Sequence, residues 1–274
     1  MKITSPTHSY EVGDQVAEAS GYNLYLCKQE GTGRQCLLQV AVDVTGNGAL
    51  DRAAFLLKEL KRRADELEAE YEKVKKDPKS TLNYDLGFPE LVDSFVSEEQ
   101  GGRRINILAF RNVEDVSRMV PIGNIVEKDR QRVDLRTSAW VMGKSLKLLA
   151  FAHGMGISIK RVDTTNILIE PDQHYVVFFD LSEAETYSDG MVPGEQRGAD
   201  IAQAAQAVIA ILGGDYESMS IPDDDDGKYK RYTDHLLGLA GGSQHDAHSA
   251  HTRFYELVDE LWEHGFYPFT TYNL

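Results

Sequence analysis

The chain has 274 residues, and its 29 Lys and Arg against 44 Asp and Glu give a formal net charge of −15. Hydrophobic residues make up 42% of it, enough to build a core, which excludes an intrinsically disordered chain. An acidic protein is repelled by nucleic acid and by acidic lipid, so we expect neither as a partner. No apolar run approaches the roughly 20 residues that cross a bilayer, and no signal-peptide core opens the sequence. We therefore predict a cytoplasmic protein that makes no membrane contact.

The first part of the chain is predicted to form strands and then one long helix. Alternating or continuous apolar runs predict strands within Tyr10–Val42, in particular at Tyr22–Lys28 and Gln35–Val42. Two more strands are predicted at Phe88–Val96 and Ile105–Phe110. Thr45–Gly48 is typical of a turn. Asp51–Lys76 contains neither Pro nor Gly, and its apolar residues recur at spacings of three and four, which predicts a helix that ends before Pro78.

After Arg111 the sequence becomes mainly helical. Apolar periodicity predicts helices at Val133–His153, Asp200–Leu212, Tyr232–Leu239 and His251–His264. Two short strands are predicted at Asn166–Glu170 and Tyr175–Phe179, and loops at Glu183–Gly198 and Ser218–Tyr229. Strands and one helix followed by helices around a small hairpin indicate an α+β fold.

Cys27 and Cys36 flank a turn at Gln29–Gly33, so they can lie across a hairpin. Two thiols in a chain of this size do not make a disulfide framework, and we expect reduced, buried residues.

The histidines of His245–His251 are spaced too widely around a helix for all three to bind one ion, so we interpret the segment as a solvated linker, with a metal site as the alternative. Asp223–Asp226 lacks the spaced ligands of an EF-hand and is interpreted as an exposed acidic loop.

The segment Gly156–Ala184 resembles the catalytic loop and magnesium-binding strand of protein kinases. In that family an H-R-D-L-x-x-x-N motif places a catalytic Asp five residues before an Asn, and a D-F-G motif follows on a strand. Asn166 matches the Asn, and Phe179-Asp180-Leu181-Ser182 matches the D-F-G segment. The resemblance implies that Asn166 and Asp180 are the metal-ligating positions.

Arg161 stands at the position of the catalytic Asp. A guanidinium stays charged at neutral pH and cannot accept the proton of an attacking hydroxyl. Asp163, where the family usually has Lys, faces a different direction and is a poor substitute. We expect that no complete catalytic set is present.

The positions that would hold the phosphates also depart from the family. Gly33–Val40 resembles the strand that carries the phosphate-binding Lys, and Gln39 stands at the Lys position. Ala17, Ala19 and Tyr22 stand at the three positions of the glycine-rich loop, where a Cβ atom hinders the approach of backbone N–H groups to phosphate.

Phe110 matches the hinge that completes this nucleotide pocket, which the resemblance therefore identifies as degenerate. Glu59 lies near the position of the Lys partner and, without a Lys, is expected to be solvated.

Two further positions match the family in a structural role. Asp200 fits the Asp that begins the buried helix of the large lobe and braces the catalytic loop. His153 fits the His that often ends the helix before that loop.

The resemblance covers roughly Tyr10–Gly214 and implies a protein-kinase-like two-lobed fold. The small β-rich N-lobe with one long helix would span 1–111 and the mainly helical C-lobe 112–274. Since the chemical positions are altered, we expect a pseudokinase that acts as a binding or regulatory module, with weak or absent ATP and Mg²⁺ binding and no resident cofactor.

We expect a protein partner that the sequence does not identify. The apolar stripe of the long helix is longer than one small sheet needs, so a homodimer through this helix is an alternative. The alternative function is an active, divergent phosphotransferase that uses ATP and Mg²⁺ on Ser/Thr or on a small molecule.

Overall fold

The computed structural model describes residues 1–19, 21–222, 227–262 and 265–274. It divides the chain into two compact units, one of Met1–Arg118 with Phe179–Glu183 and one of Met119–Phe178 with Ala184–Leu274. The sheet lies in the N-terminal part and most helices follow it, as the α+β prediction requires. The lobe boundary predicted between residues 111 and 112 stays a prediction.

The first unit is built on a six-stranded sheet with the order β1-β2-β3-β4-β6-β5, in which neighbouring strands are antiparallel. The strands are β1 (Lys2–Thr4), β2 (Ser9–Glu18), β3 (Tyr22–Gln29), β4 (Gln35–Ala41), β5 (Glu90–Ser97) and β6 (Arg103–Ala109). Side chains alternate between the two faces of a strand. One face of β4 therefore places Cys36, Leu38 and Val40 in a buried cluster with Tyr10 and Ile105.

The long helix α1 spans Asn47–Glu72, so it begins and ends earlier than predicted. Its start is fixed by tertiary hydrogen bonds, because the Asn47 side chain donates to Gly102 O at 2.9 Å and accepts from Arg104 N at 2.7 Å. The predicted turn at Thr45–Gly48 is wrong in its last two residues for this reason. At the other end Val74 lies outside the helix and is 74% exposed.

The apolar stripe of α1 is buried within this unit over its first half. Leu57, Leu60 and Ala64 are buried, and the helix contacts β5 and β6. Glu59 lies on the outer side, where it forms a salt bridge with Arg62 at 2.9 Å. The stripe thus packs on the sheet of its own unit.

The second unit is mainly helical. Its helices are α2 (Gly123–Glu127), α3 (Leu135–Gly154), α4 (Gly194–Ile211), α5 (Lys230–Ala240) and α6 (Ala247–Leu261). Its short strands are β7 (Val120–Pro121), β8 (Gln131–Val133), β9 (Ile157–Ser158), β10 (Ile167–Glu170), β11 (Tyr175–Phe178), β12 (Glu185–Thr186) and β13 (Thr271–Asn273). They pair as β11-β10-β7, β12-β9 and β13-β8. Among the described residues no helix is both long and apolar enough to cross a membrane.

Helix α4 begins at Gly194, so the loop predicted at Glu183–Gly198 is wrong in its last residues. Glycine disfavours a helix interior, which is why the sequence indicated a loop. A Cβ atom at Gly198 would lie 2.5 Å from His245 Nδ1, so close packing requires glycine at this point of the helix.

The histidine segment is not a linker, because α6 begins at Ala247 and carries His248 and His251. The Asp246 carboxylate caps this helix by accepting a 2.8 Å hydrogen bond from Ser249 N. The predicted end of the helix at His264 and the acidic loop Asp223–Asp226 lie outside the described residues.

His251 is the most strongly perturbed histidine of this unit. Its ring lies 4.7 Å from that of Tyr255, and burial, with help from the positive charges of Lys147, His248 and Lys144, lowers its pKa to about 4. The unfolded chain binds a proton at this residue near pH 6.5, whereas the folded chain does not until about pH 4. Stability is therefore lost as the pH falls through this window.

We predict that His251→Gln reduces the acid sensitivity of the second unit. Between pH 7 and pH 5 the free energy of unfolding of the wild type should fall by about 1 kcal/mol more than that of the variant, after allowance for partial solvent screening. Urea unfolding at both pH values measures this difference. His248→Gln, at an exposed position of the same helix, removes only one of the weaker charges that act on His251 and should keep most of the wild-type pH dependence. Equal pH dependence in the wild type and His251→Gln would contradict the prediction.

Candidate functional site

Gln39, at the position of the phosphate-binding Lys, belongs to a buried amide network in the first unit. Its side chain is 2% exposed, and its Oε1 accepts a 3.3 Å hydrogen bond from Asn106 Nδ2 on the neighbouring strand β6. Asn106 Nδ2 also donates to Leu50 O of helix α1 at 3.0 Å. The amide of Gln39 thus helps to fasten helix α1 to the sheet.

The network continues from Asn106 toward the surface. Asn106 Oδ1 accepts from Ser94 Oγ at 2.8 Å, and Ser94 Oγ in turn accepts from Arg104 Nη1 at 2.9 Å. The Arg104 guanidinium forms a 2.9 Å salt bridge with Asp51. Asn106 was missed in the sequence analysis, because its partner is set by the register Gln39↔Asn106, which a single sequence does not reveal.

The glycine-loop positions lie on and between β2 and β3. Ala17 is exposed and pairs with Leu24, whereas Tyr22 is 5% exposed and pairs with Ala41 of β4. Ala19 N donates to Tyr22 O at 2.9 Å, so these two residues close a tight connection. The connection is also held from outside, since Gly21 O accepts from Val42 N at 3.1 Å. These hydrogen bonds occupy backbone groups at the positions that the resemblance aligns with a glycine-rich loop.

The segment that resembles D-F-G groups with the first unit. Phe110 is 4% exposed, and its ring centroid lies 6.2 Å from that of Phe179. Asp180 is buried, and its Oδ1 accepts from Ser182 N at 2.8 Å, which forms a local turn. Arg52 of α1 donates to Ser182 O at 2.9 Å and ties this turn to the helix, a contact that the sequence analysis missed.

In the second unit, the loop that resembles the catalytic loop is stabilised by its own polar side chains. Asp163 Oδ1 accepts from Thr165 N, Thr165 Oγ1 and Asn166 N at 2.9, 2.6 and 2.9 Å, so it serves as a turn cap. The buried Asn166 donates from Nδ2 to Arg161 O at 2.6 Å. Arg161, at the position of the base, is half-buried and contributes its carbonyl to this turn.

Asp200 is the centre of a second, fully buried cluster in this unit. Its carboxylate accepts from His153 Nε2 and from Ser158 Oγ at 2.9 and 3.0 Å. It also accepts from the backbone N–H groups of Ile159 and Lys160 at 2.9 and 3.0 Å. Lys160 has a positive φ of 67°, which non-glycine residues adopt rarely, so these contacts hold an uncommon backbone conformation.

Residues of α4 beside Asp200 extend this support. Gln203 Oε1 accepts from Val162 N at 2.8 Å, and Gln196 Oε1 accepts from Lys160 Nζ at 2.8 Å. Gln196, Asp200 and Gln203 are spaced four and three residues apart along α4 and therefore share one face of the helix. The sequence analysis named Asp200 alone, although this spacing was the signal that would have found the other two.

Within residues 1–19, 21–222, 227–262 and 265–274, no group of three His, Cys, Asp or Glu side chains is placed to hold an ion. Asn166 and Asp180 belong to different units, and each forms the local hydrogen bonds described above. Their assignment as metal ligands stays a prediction, and we derive no chemical step through a metal.

Comparison with known proteins identifies the fold and nothing finer. No family model matches the chain, and no curated protein matches its sequence. The chain is similar in structure to the BubR1 kinase domain, known from a crystal structure, with a TM-score of 0.58 and 12% sequence identity. The matched region covers 95% of this chain and 86% of the BubR1 chain. The chain therefore has a fold similar to that of a protein kinase domain. At this identity the similarity carries no information on activity.

We predict that Asp200→Asn destabilises the second unit by about 3 kcal/mol, because an amide brings an N–H group against the backbone donors of Ile159 and Lys160. Urea unfolding measures the loss. Asp189→Asn, an exposed position where Oδ1 accepts from Met191 N at 3.1 Å, is the matched control and should change stability by less than about 0.5 kcal/mol. Equal effects at the two positions would show that the Asp200 carboxylate does not brace the loop.

Proposed function

We propose that this chain is a pseudokinase, a kinase-like domain that does not transfer phosphate and acts as a binding or regulatory module. The observation that carries the proposal is the buried amide of Gln39 at the position of the phosphate-binding Lys, hydrogen-bonded to Asn106. An amide supplies no charge to neutralise the phosphates of a nucleotide. The Gln39 side chain accepts from the neutral amide of Asn106, which also donates to Leu50 O of helix α1.

Arg161 gives the second support. An active site of this class needs a group that accepts or orients the proton of the attacking hydroxyl, and a guanidinium cannot do so. Asp163, the nearest carboxylate in the sequence, is already engaged with the donors of its own turn. The loop thus keeps a folded shape without offering a base.

Weak nucleotide binding follows from the same replacements. A hydrogen bond to a charged group contributes roughly 1.5–3 kcal/mol, so two such losses move a micromolar site toward the millimolar range. The Lys contact is absent at Gln39, and the side chains of Ala17, Ala19 and Tyr22 replace glycine in the loop.

Regulation by such a domain requires a partner, and we propose a protein. The net charge of −15 disfavours nucleic acid and acidic membranes as surfaces to bind. Leu57, Leu60 and Ala64 of α1 are buried within their own unit, which favours a protein that does not dimerise through this stripe. Sedimentation of the purified chain distinguishes a monomer from a homodimer.

We predict no thermal stabilisation by ATP, with or without Mg²⁺ or Mn²⁺. A rise of several degrees in the unfolding midpoint at ~100 µM ATP, about ten-fold below the expected millimolar dissociation constant, would overturn the proposed loss of nucleotide binding.

Gln39→Lys and Gln39→Leu form a matched pair of variants. Both should lower stability by disrupting the Asn106 network, and at millimolar ATP the Lys variant alone should be stabilised, because it restores one charged contact to the phosphates.

We also predict that incubation with labelled ATP and generic protein or small-alcohol substrates gives no transfer above the buffer control. The alternative, an active divergent phosphotransferase, predicts turnover that Asp180→Ala abolishes and that the surface change Asp189→Ala leaves intact. That pattern would refute the pseudokinase proposal, whereas equal background in all samples supports it.

A further inference from the structure

The two cysteines of the chain lie directly opposite each other in the sheet of the first unit. Cys27 of β3 pairs with Cys36 of β4, between the pairs Leu26↔Leu37 and Lys28↔Gln35. Cα atoms that oppose each other in an antiparallel pair are about 4.5–5.5 Å apart, within the range of roughly 4.4–6.8 Å that a disulfide spans. Both side chains belong to the same buried cluster and so point to the same face. The register and the shared face therefore place the two thiols where a disulfide between them can form.

The two thiols are also coupled chemically. Interaction with the Cys27 thiol and the positive charge of Arg34 lower the pKa of Cys36 against the effect of burial. Interaction with the Cys36 thiol and burial raise the pKa of Cys27. Cys36 is consequently the sulfur that ionises more readily.

An open groove reaches this part of the sheet. It has a volume of about 510 Å³, and Cys27 contributes to its wall together with Val12, Gly13 and Gln35. Cys27 is 5% exposed and Cys36 is 0% exposed, so a bulky reagent has no direct access to the sulfur atoms. The wall of the groove includes Cys27 and not Cys36, which lies beside Cys27 on the next strand, so the oxidant has to be small enough to reach Cys36 past Cys27.

We propose that Cys27 and Cys36 form a reversible oxidation site whose oxidant is a small hydroperoxide. The Cys36 thiolate attacks one oxygen of the peroxide, so an S–O bond forms, the O–O bond breaks and hydroxide leaves. The Cys27 sulfur then attacks Cys36 Sγ of the resulting sulfenic acid. The S–S bond forms as the S–O bond breaks, and the Cys27 proton leaves with the hydroxide as water. The thiols lose two electrons and the peroxide gains them.

The site is independent of the proposed pseudokinase function, although it acts on the same strands. The disulfide would join β3, which begins with Tyr22, to β4, which carries Gln39. A dithiol reverses the reaction by exchange and returns both thiols.

The test is treatment of the native chain with hydrogen peroxide, followed by intact mass measurement under conditions that trap free thiols. We expect the loss of two hydrogen atoms and of both reactive thiols, with full recovery after dithiothreitol. Because the chain has two cysteines, the bond is assigned without ambiguity. An unchanged mass, the addition of oxygen atoms in place of the hydrogen loss, or dimers linked between chains would each overturn the proposal.

A matched variant separates native geometry from simple closeness in sequence. Cys27→Ser with Lys28→Cys keeps two thiols near each other along the chain, but alternation places the new one on the opposite face of β3. This variant should form the disulfide in denaturant and much more slowly in buffer. Closure in buffer at the wild-type rate would show that the bond forms from the opened hairpin and would overturn the site.

A second variant keeps the test decisive if the first one does not fold. Cys27→Ser leaves Cys36 without its resolving thiol, so the sulfenic acid should persist and react with dimedone after peroxide treatment. The wild type should give little of this adduct because Cys27 removes it. Equal dimedone labelling of the two proteins would contradict the assigned roles.

Discussion

The carboxylate of Asp200 is the constraint on which the loop of the second unit depends. A buried carboxylate is costly unless every lone pair finds a donor, and this one is surrounded by a histidine, a hydroxyl and two backbone N–H groups. Because two of these donors are consecutive N–H groups, the carboxylate fixes the backbone at Ile159 and Lys160. Lys160 keeps its positive φ because Asp200, Gln196 and Gln203 lie on one face of helix α4 and hold this loop together.

In the first unit a neutral amide network has the corresponding role. Gln39 and Asn106 satisfy each other and the carbonyl of Leu50 without introducing a charge into the core. A lysine at this place would need a buried acid, and Glu59, which the resemblance suggests for that purpose, forms its salt bridge with Arg62 instead. The amide is therefore compatible with helix α1 in its observed position, whereas an unpaired ammonium group is not.

The sequence predicted the elements whose signal is local and missed those whose cause is tertiary. Strand β4 and helix α1 follow from their own periodicity, and the fold similarity follows from motif order. The start of α4 was misjudged because Gly198 is required by His245, which lies far along the chain. Asn106, Gln203 and the directly opposed cysteines depend on register and helix packing, which determine contacts that no single segment encodes.

The positions that match the kinase motifs and those that depart from them differ in physical role. Asp200, His153 and Asn166 match, and each forms hydrogen bonds that hold a loop or turn in place. Gln39 and Arg161 depart, and the resemblance implies at these two positions the charges that phosphate transfer uses directly. A fold can tolerate a substitution at a departing position such as Gln39, because the new side chain can form hydrogen bonds with other groups. Gln39 does so with Asn106. A fold cannot tolerate loss of a bracing residue such as Asp200, because the backbone N–H donors around it would then remain buried without an acceptor. Under the proposed function, this difference is the reason that a chain with a kinase-like fold would keep its loop-bracing residues while its chemical positions change.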